Sequence, residues 1–277
     1  MKFFILSLIV ITVIFISCDT SKQTDNEEEK EYITLLKASQ KVIDSAINKI
    51  YSDIAEASKN ILENNFDESN IRTALNLILS KNPSLAEAVY VNRDNIITYA
   101  EPATYKYAEG QDISQQEHQK KMIETKLPVM SSLFKVVENY YAVVLAIPIL
   151  KDNEMVGSIN LLLKPSEFIP FFTDKILKDP NNKNYKADDF NVAETNGTLL
   201  FDIDTTQIGR NLFTDSLYLP YKEMIDLCHY VMTADSGKSY YSYLDKTKQK
   251  NVVKDVWWRT SSYYGNLWKF SIIKERN

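Results

Sequence analysis

Residues 192–204 read VAETNGTLLFDID. Two short apolar-rich runs flank Asn196-Gly197, the dipeptide that best supplies the positive φ angles of a tight hairpin. This predicts a hairpin with strands Phe190–Glu194 and Thr198–Asp202. About a hundred residues earlier, residues 89–101 read VYVNRDNIITYAE, which has the same shape: a strand Ala86–Val91, a turn Asn92-Arg93-Asp94-Asn95, and a returning strand Ile96–Ala100.

The segments after each hairpin repeat as well. The first hairpin leads into a polar stretch, residues 101–128, with a helical segment near Ser114–Thr125, and then strands Met130–Val137, Tyr140–Leu150 and Met155–Leu163. The second leads into a helix over Leu219–Thr233 and strands Ser239–Leu244, Asn251–Thr260 and Leu267–Ile273. Hairpin, helix, three-strand meander is thus written twice. The fold class this predicts is α+β, with two five-stranded antiparallel sheets carrying helices. A helix from Pro165 through Ile176 and a polar linker, DPNNKNYK at 179–186, separate the halves.

Ahead of the repeat the pattern has a helical period. Between Glu27 and Asn82 there is no Gly or Pro, and Ile33, Leu36, Ile43, Ile47, Ile50, Ile54, Ala57 and Ile61 recur mostly three or four residues apart. This predicts one helix of about 35 residues, roughly 50 Å long at 1.5 Å per residue. Such a helix either runs alongside two stacked domains or forms a coiled-coil seam. A second helix, Ser69–Leu79, ends ahead of Pro83.

The first residues read MKFFILSLIVITVIFISCDT. Lys2 precedes a short apolar run that stops at Ser17-Cys18. That run is too short for a comfortable membrane span and suits a signal peptide. A small residue before a cysteine at its end resembles the bacterial lipobox, which implies cleavage after residue 17 and a diacylglycerol anchor on Cys18. The acidic residues 18–30 are expected to be a solvated tether. The predicted organisation is residues 1–17 leader, 18–30 tether, 31–82 helices, 83–178 membrane-distal domain and 179–277 membrane-proximal domain. The protein is expected in the cell envelope, outside the cytoplasm, attached by lipid.

The net charge is −5, and losing Lys2 with the leader makes it −6. This argues against nucleic acid as a partner. With Cys18 lipidated, Cys228 is the remaining thiol, so a disulfide or cysteine metal site within the chain is not expected. His118 sits in the polar run QQEHQKK and is expected to be solvated. Cys228 and His229 are adjacent and do not share a helical face, so Cys228 reads as a small core residue. Asp188, Asp189, Asp202 and Asp204 read as turn residues. Trp257 and Trp258 alternate, so at most one faces a core and the other is a candidate exposed contact. No nucleophile, acid–base or cofactor motif is present. Neither an enzyme nor a bound cofactor is expected.

The chain resembles the double Cache domain, the PAS-like extracellular sensor of chemotaxis receptors and sensor kinases. The resemblance rests on Asn196-Gly197-Thr198-Leu199-Leu200 with Ile208-Gly209-Arg210-Asn211, on Pro148 through Val156-Gly157-Ser158 to Leu163, and on Asn251–Thr260 with Leu267-Trp268-Lys269-Phe270. It implies a small-molecule ligand in the distal domain; with a lipid anchor and no transmembrane output, the protein is expected to pass occupancy to a partner protein or to act as a binding protein. In amino-acid-binding members a carboxylate stands near the end of the last distal strand, at about Leu162 here, and an arginine and a tryptophan lie near the third strand. This chain has none of the three. The ligand-binding candidates are Ser131 on the third strand, Tyr141 on the fourth, and Tyr105 and Tyr107 in the covering connection. The alternative is a structural or surface-interaction lipoprotein using the fold without a ligand.

Overall fold

A computed structural model describes residues 20–136, 138–179, 189–245 and 249–276. The leader, Cys18 and most of the linker at 179–186 lie outside the described residues.

Helix α1 spans Thr20–Glu63, about 66 Å at 1.5 Å per residue. The stretch expected as a tether is therefore helical from Thr20 onward. Without Gly or Pro, nothing interrupts the backbone ladder that the apolar stripe anchors further along. That stripe faces the protein's own body: Ile43, Ile47, Ile54 and Ile61 are all fully buried. α1 packs against strands of both sheets, so its length serves two stacked domains and its seam is intramolecular. It ends where Asn65 and Phe66 turn left-handed. Asp67 then caps α2 (Glu68–Lys81) by accepting the Asn70 N–H.

The distal sheet contains β1 (Leu85–Asn92), β2 (Ile97–Glu101), β3 (Val129–Met130), β4 (Phe134–Lys135), β5 (Tyr141–Lys151) and β6 (Glu154–Leu163). Its order is β2-β1-β6-β5-β3, with β4 also pairing with β5. The side chain of Asn92 accepts the N–H groups of Asp94 and Ile96 and closes the first hairpin. A 3-10 turn over Ala103–Ala108 and helix α3 (Glu117–Thr125) fill the polar connection.

The third strand, expected to be continuous over Met130–Val137, is broken at Ser131–Leu133. Ser131 Oγ accepts the Val144 N–H at 2.8 Å, which a regular ladder would give to a backbone carbonyl. The Ser131 carbonyl is turned instead to Asn266 of the proximal domain, at 2.9 Å. One face of β5 and β6 packs on α1 through Leu145, Ile147, Ile159 and Leu161; the other, with Val144, Ala146 and Leu162, lies under α3. Burial on both faces explains why β5 is apolar almost throughout rather than alternating. Helix α4 (Pro165–Leu177) leads out of the domain.

The proximal sheet contains β7 (Asp189–Glu194), β8 (Leu199–Asp202), β9 (Ser236–Asp245), β10 (Lys250–Tyr263) and β11 (Asn266–Glu275), in the order β8-β7-β11-β10-β9. This repeats the distal arrangement, as the paired hairpins predict. Both tryptophans on β10 are buried, against expectation. Trp257 meets Tyr32 of α1, ring centroids 4.7 Å apart, and Trp258 lies under α5 (Lys222–Thr233) beside Tyr230. Alternation sends the two to opposite faces, and the sheet is covered on both. Asp189 and Asp202, expected in turns, are strand residues. Among the described residues no helix is long and apolar enough to cross a membrane.

Candidate functional site

A cavity of about 250 Å³ lies between the outer face of the distal sheet and the connection covering it. Its floor is Val89, Val144 and Leu162. Its wall comes from Ala108, Ile113 and the β4 segment Phe134–Val136. Polar groups converge on this apolar chamber, as they do in small-molecule sites.

The most informative of these is Glu87. It pairs directly with Leu162 across β1 and β6, so the two side chains share a face. Glu87 thus places a carboxylate next to Leu162 on the neighbouring strand. Desolvation, reinforced by the charge of Glu138, pushes the Glu87 carboxyl up to about 7.

His118, expected to be solvated, is 5 % exposed. The outer side of α3 is polar, and His118, Gln119 and Met122 fall on its buried side. Burial pushes its imidazole down to about 4, so it is neutral, and its Nε2 has no hydrogen-bond partner. Asn160 on β6 is similar: its amide donates to Gln119 at 3.4 Å, while its Oδ1 is buried and unpartnered. Gln119 donates in turn to Asn95 at 2.9 Å. Orphaned buried polar atoms carry a free-energy cost of about 1–3 kcal/mol each. His118 and Asn160, which carry two of them, both line this cavity, where they could meet a ligand's polar groups.

The four sequence candidates do not form one site. Tyr107 stands at the cavity rim, 54 % exposed. Tyr105 lies behind the wall, where its hydroxyl meets that of Tyr140 at 3.2 Å. Ser131 and Tyr141 belong to the seam between the domains. Glu87, His118 and Asn160 were not singled out by sequence. Of the three, Asn160 left a signal: a lone amide in the apolar run GSINLLLK.

At the seam, Glu194 is 2 % exposed and accepts the Leu133 N–H at 3.0 Å and the Asn266 amide at 2.8 Å. Asn266 also holds the Ser131 carbonyl, and the Met130 N–H donates to the Tyr264 carbonyl at 3.2 Å. Residues 130–133 are thus clamped to the proximal domain, while residues 134–136 line the distal cavity.

Residues 45–165 match the family model of the HK/GC/chemotaxis protein-like sensor domain. Compared with curated protein sequences, the chain has no significant match. Several solved structures share its architecture. An extracellular ligand-binding receptor from Desulfohalobium retbaense superposes with a TM-score of 0.69 at 19 % identity, over 87 % of this chain and 40 % of that one. The present chain therefore spans well under half of that receptor. The periplasmic sensory domain of the Campylobacter jejuni chemoreceptor Tlp1 gives 0.62 at 14 % identity, over 90 % of this chain and 95 % of that one. The ligand-binding domain of the Pseudomonas aeruginosa PAO1 amino acid chemoreceptor PctC, solved with GABA, gives 0.59 at 12 % identity, over 91 % and 100 %. The chain is a two-sheet module with the PAS-like fold of double Cache extracellular sensors, and its residues 45–165 match the sensor-domain family of histidine kinases and chemotaxis proteins.

Proposed function

We propose that this protein is an extracytoplasmic sensor, held at the membrane by lipid on Cys18, that binds a small polar ligand bearing an ammonium group in the distal cavity. The observation that carries this is Glu87: a carboxylate largely withdrawn from water, lining the same cavity as the neutral His118. An ammonium group at Glu87 would hold its proton off and satisfy the charge. The Nε2 of His118 and the Oδ1 of Asn160 remain for the rest of the ligand. The chemoreceptor solved with GABA, an amine-bearing molecule, supports this class.

Occupancy reaches the proximal domain through the broken third strand. A ligand pressing on Phe134–Val136 pulls on Leu133 and Ser131, whose partners are Glu194 and Asn266. With an anchor that does not cross the membrane, the output must pass to a partner protein at the proximal end.

The test is a thermal-shift screen of the mature protein against amines, amino acids, carboxylates and sugars. A ligand at 100 times its Kd adds about 2.7 kcal/mol to stability. An amine-bearing hit that disappears in Glu87→Gln is expected. A hit from the carboxylates alone would overturn the ammonium assignment, and silence across the panel would favour the structural alternative.

A further inference from the structure

A second cavity, about 420 Å³, lies on the outer face of the proximal sheet beneath α5. Its walls are apolar: Leu199, Leu212, Met224, Leu227 and Val231 enclose most of it. Its lining also includes the half-exposed Ile203 and three carboxylates, Asp189, Asp202 and Asp204. Asp202 is 6 % exposed and pairs with Asn191 across β7 and β8. Asn191 donates to Asp189 Oδ2 at 3.2 Å. Asp189 Oδ1 is buried without a hydrogen-bond partner, whereas Asp202 Oδ1 accepts the Asp204 N–H at 2.8 Å.

Two carboxylates side by side and withdrawn from water repel, and both are raised, by desolvation first. Whenever either is ionised, negative charge stands at the lining of an apolar chamber. Lys254 acts on Asp189 from the sheet. The other charges nearby are engaged elsewhere: Arg210 pairs with Asp215 at 2.9 Å, and Asp204 caps Thr206 and Gln207. Cys228 in the wall is not an activated nucleophile, since burial pushes its thiol up to about 12.

We propose that this proximal cavity is a second ligand site, for a singly charged organic amine with an apolar alkyl or aryl body. The body replaces water against the leucine, methionine and valine side chains, and the ammonium group sits against the carboxylates of Asp189 and Asp202. The distal chamber, smaller and lined by several polar groups, suits a more polar ligand. The two sites therefore select different molecules, and this inference does not depend on the distal reading.

The experiment is calorimetry on the mature full chain with phenethylamine, 2-phenylethanol and phenylpropionate. Phenethylamine is expected to bind and the other two to fail. Asp202→Asn is expected to weaken binding about tenfold, the scale of one lost charge-assisted hydrogen bond. Met224→Trp, which fills the chamber, is expected to abolish it, and Glu87→Gln in the distal domain is expected to leave it unchanged. The isosteric Asp202→Asn decides the matter if the tryptophan variant does not fold. Equal binding of the alcohol would overturn the assignment. So would an absence of amine binding, affinity unmoved by Asp202→Asn, or a loss confined to Glu87→Gln, which would place the amine in the distal cavity.

Discussion

The ring of Tyr141, on β5 of the distal sheet, lies against Gly209 in the loop after β8 of the proximal domain: a Cβ on Gly209 would stand 2.1 Å from its Cζ. Gly209 also holds φ +82°, a conformation other residues adopt only with strain. One glycine thus satisfies two demands, the turn and the close seating of one domain on the other.

Gly209→Ala should destabilise the protein by roughly 2–4 kcal/mol, combining the strain of the backbone with overpacking against the ring. Tyr141→Ala removes the clash but not the backbone strain. The double variant should therefore be more stable than the two losses added together. Chemical denaturation of the three proteins measures this; strict additivity would show that the ring does not constrain Gly209.

Glu87 predicts a pH dependence. Its carboxyl is raised from 4.5 to about 7 in the folded state. Its contribution to stability is therefore full below about pH 4.5 and is lost as the pH rises through about 7. The wild type should lose on the order of 2 kcal/mol relative to Glu87→Gln between pH 5 and 8. Melting curves of both proteins across that range test the sign. A bound amine should reverse the trend, because it favours the ionised carboxylate.

Glu194 and Asn266 predict a coupling between the domains. Asn266→Ala removes two hydrogen bonds at once, from the Ser131 carbonyl and from Glu194. It should cost roughly 1–3 kcal/mol. More tellingly, ligand added to the distal cavity should then no longer slow hydrogen exchange in β7. Protection that spreads across the seam as in the wild type would show that occupancy travels by another route.

Cys18→Ser should leave an unprocessed, unlipidated precursor. Mass spectrometry and detergent partitioning of the two proteins check this. A variant that is still processed and still partitions into detergent would remove the lipid anchor from the account.

Much of the architecture was legible along the chain. The stripe from Ile33 to Ile61, the Asn196-Gly197 hairpin and its counterpart at 89–101 each depend on neighbours a few residues apart. Local periodicity and turn chemistry were enough to recover the long helix and the doubled hairpin–helix–meander order. The site was not legible in this way. That Glu87 stands opposite Leu162 depends on the register of β1 on β6, which no local pattern sets by itself. His118 is buried because α3 turns it, with Gln119 and Met122, inward, although the run around it is polar. Ser131 leaves its strand because Asn266, far along the chain, takes its carbonyl. Asp189 and Asp202 become a charged pair only because β7 and β8 bring them together under α5. The sequence alone determined which segments are helix and strand and how they repeat. Tertiary packing decided which polar groups are withdrawn from water, and those are the groups with the electrostatics to hold a ligand.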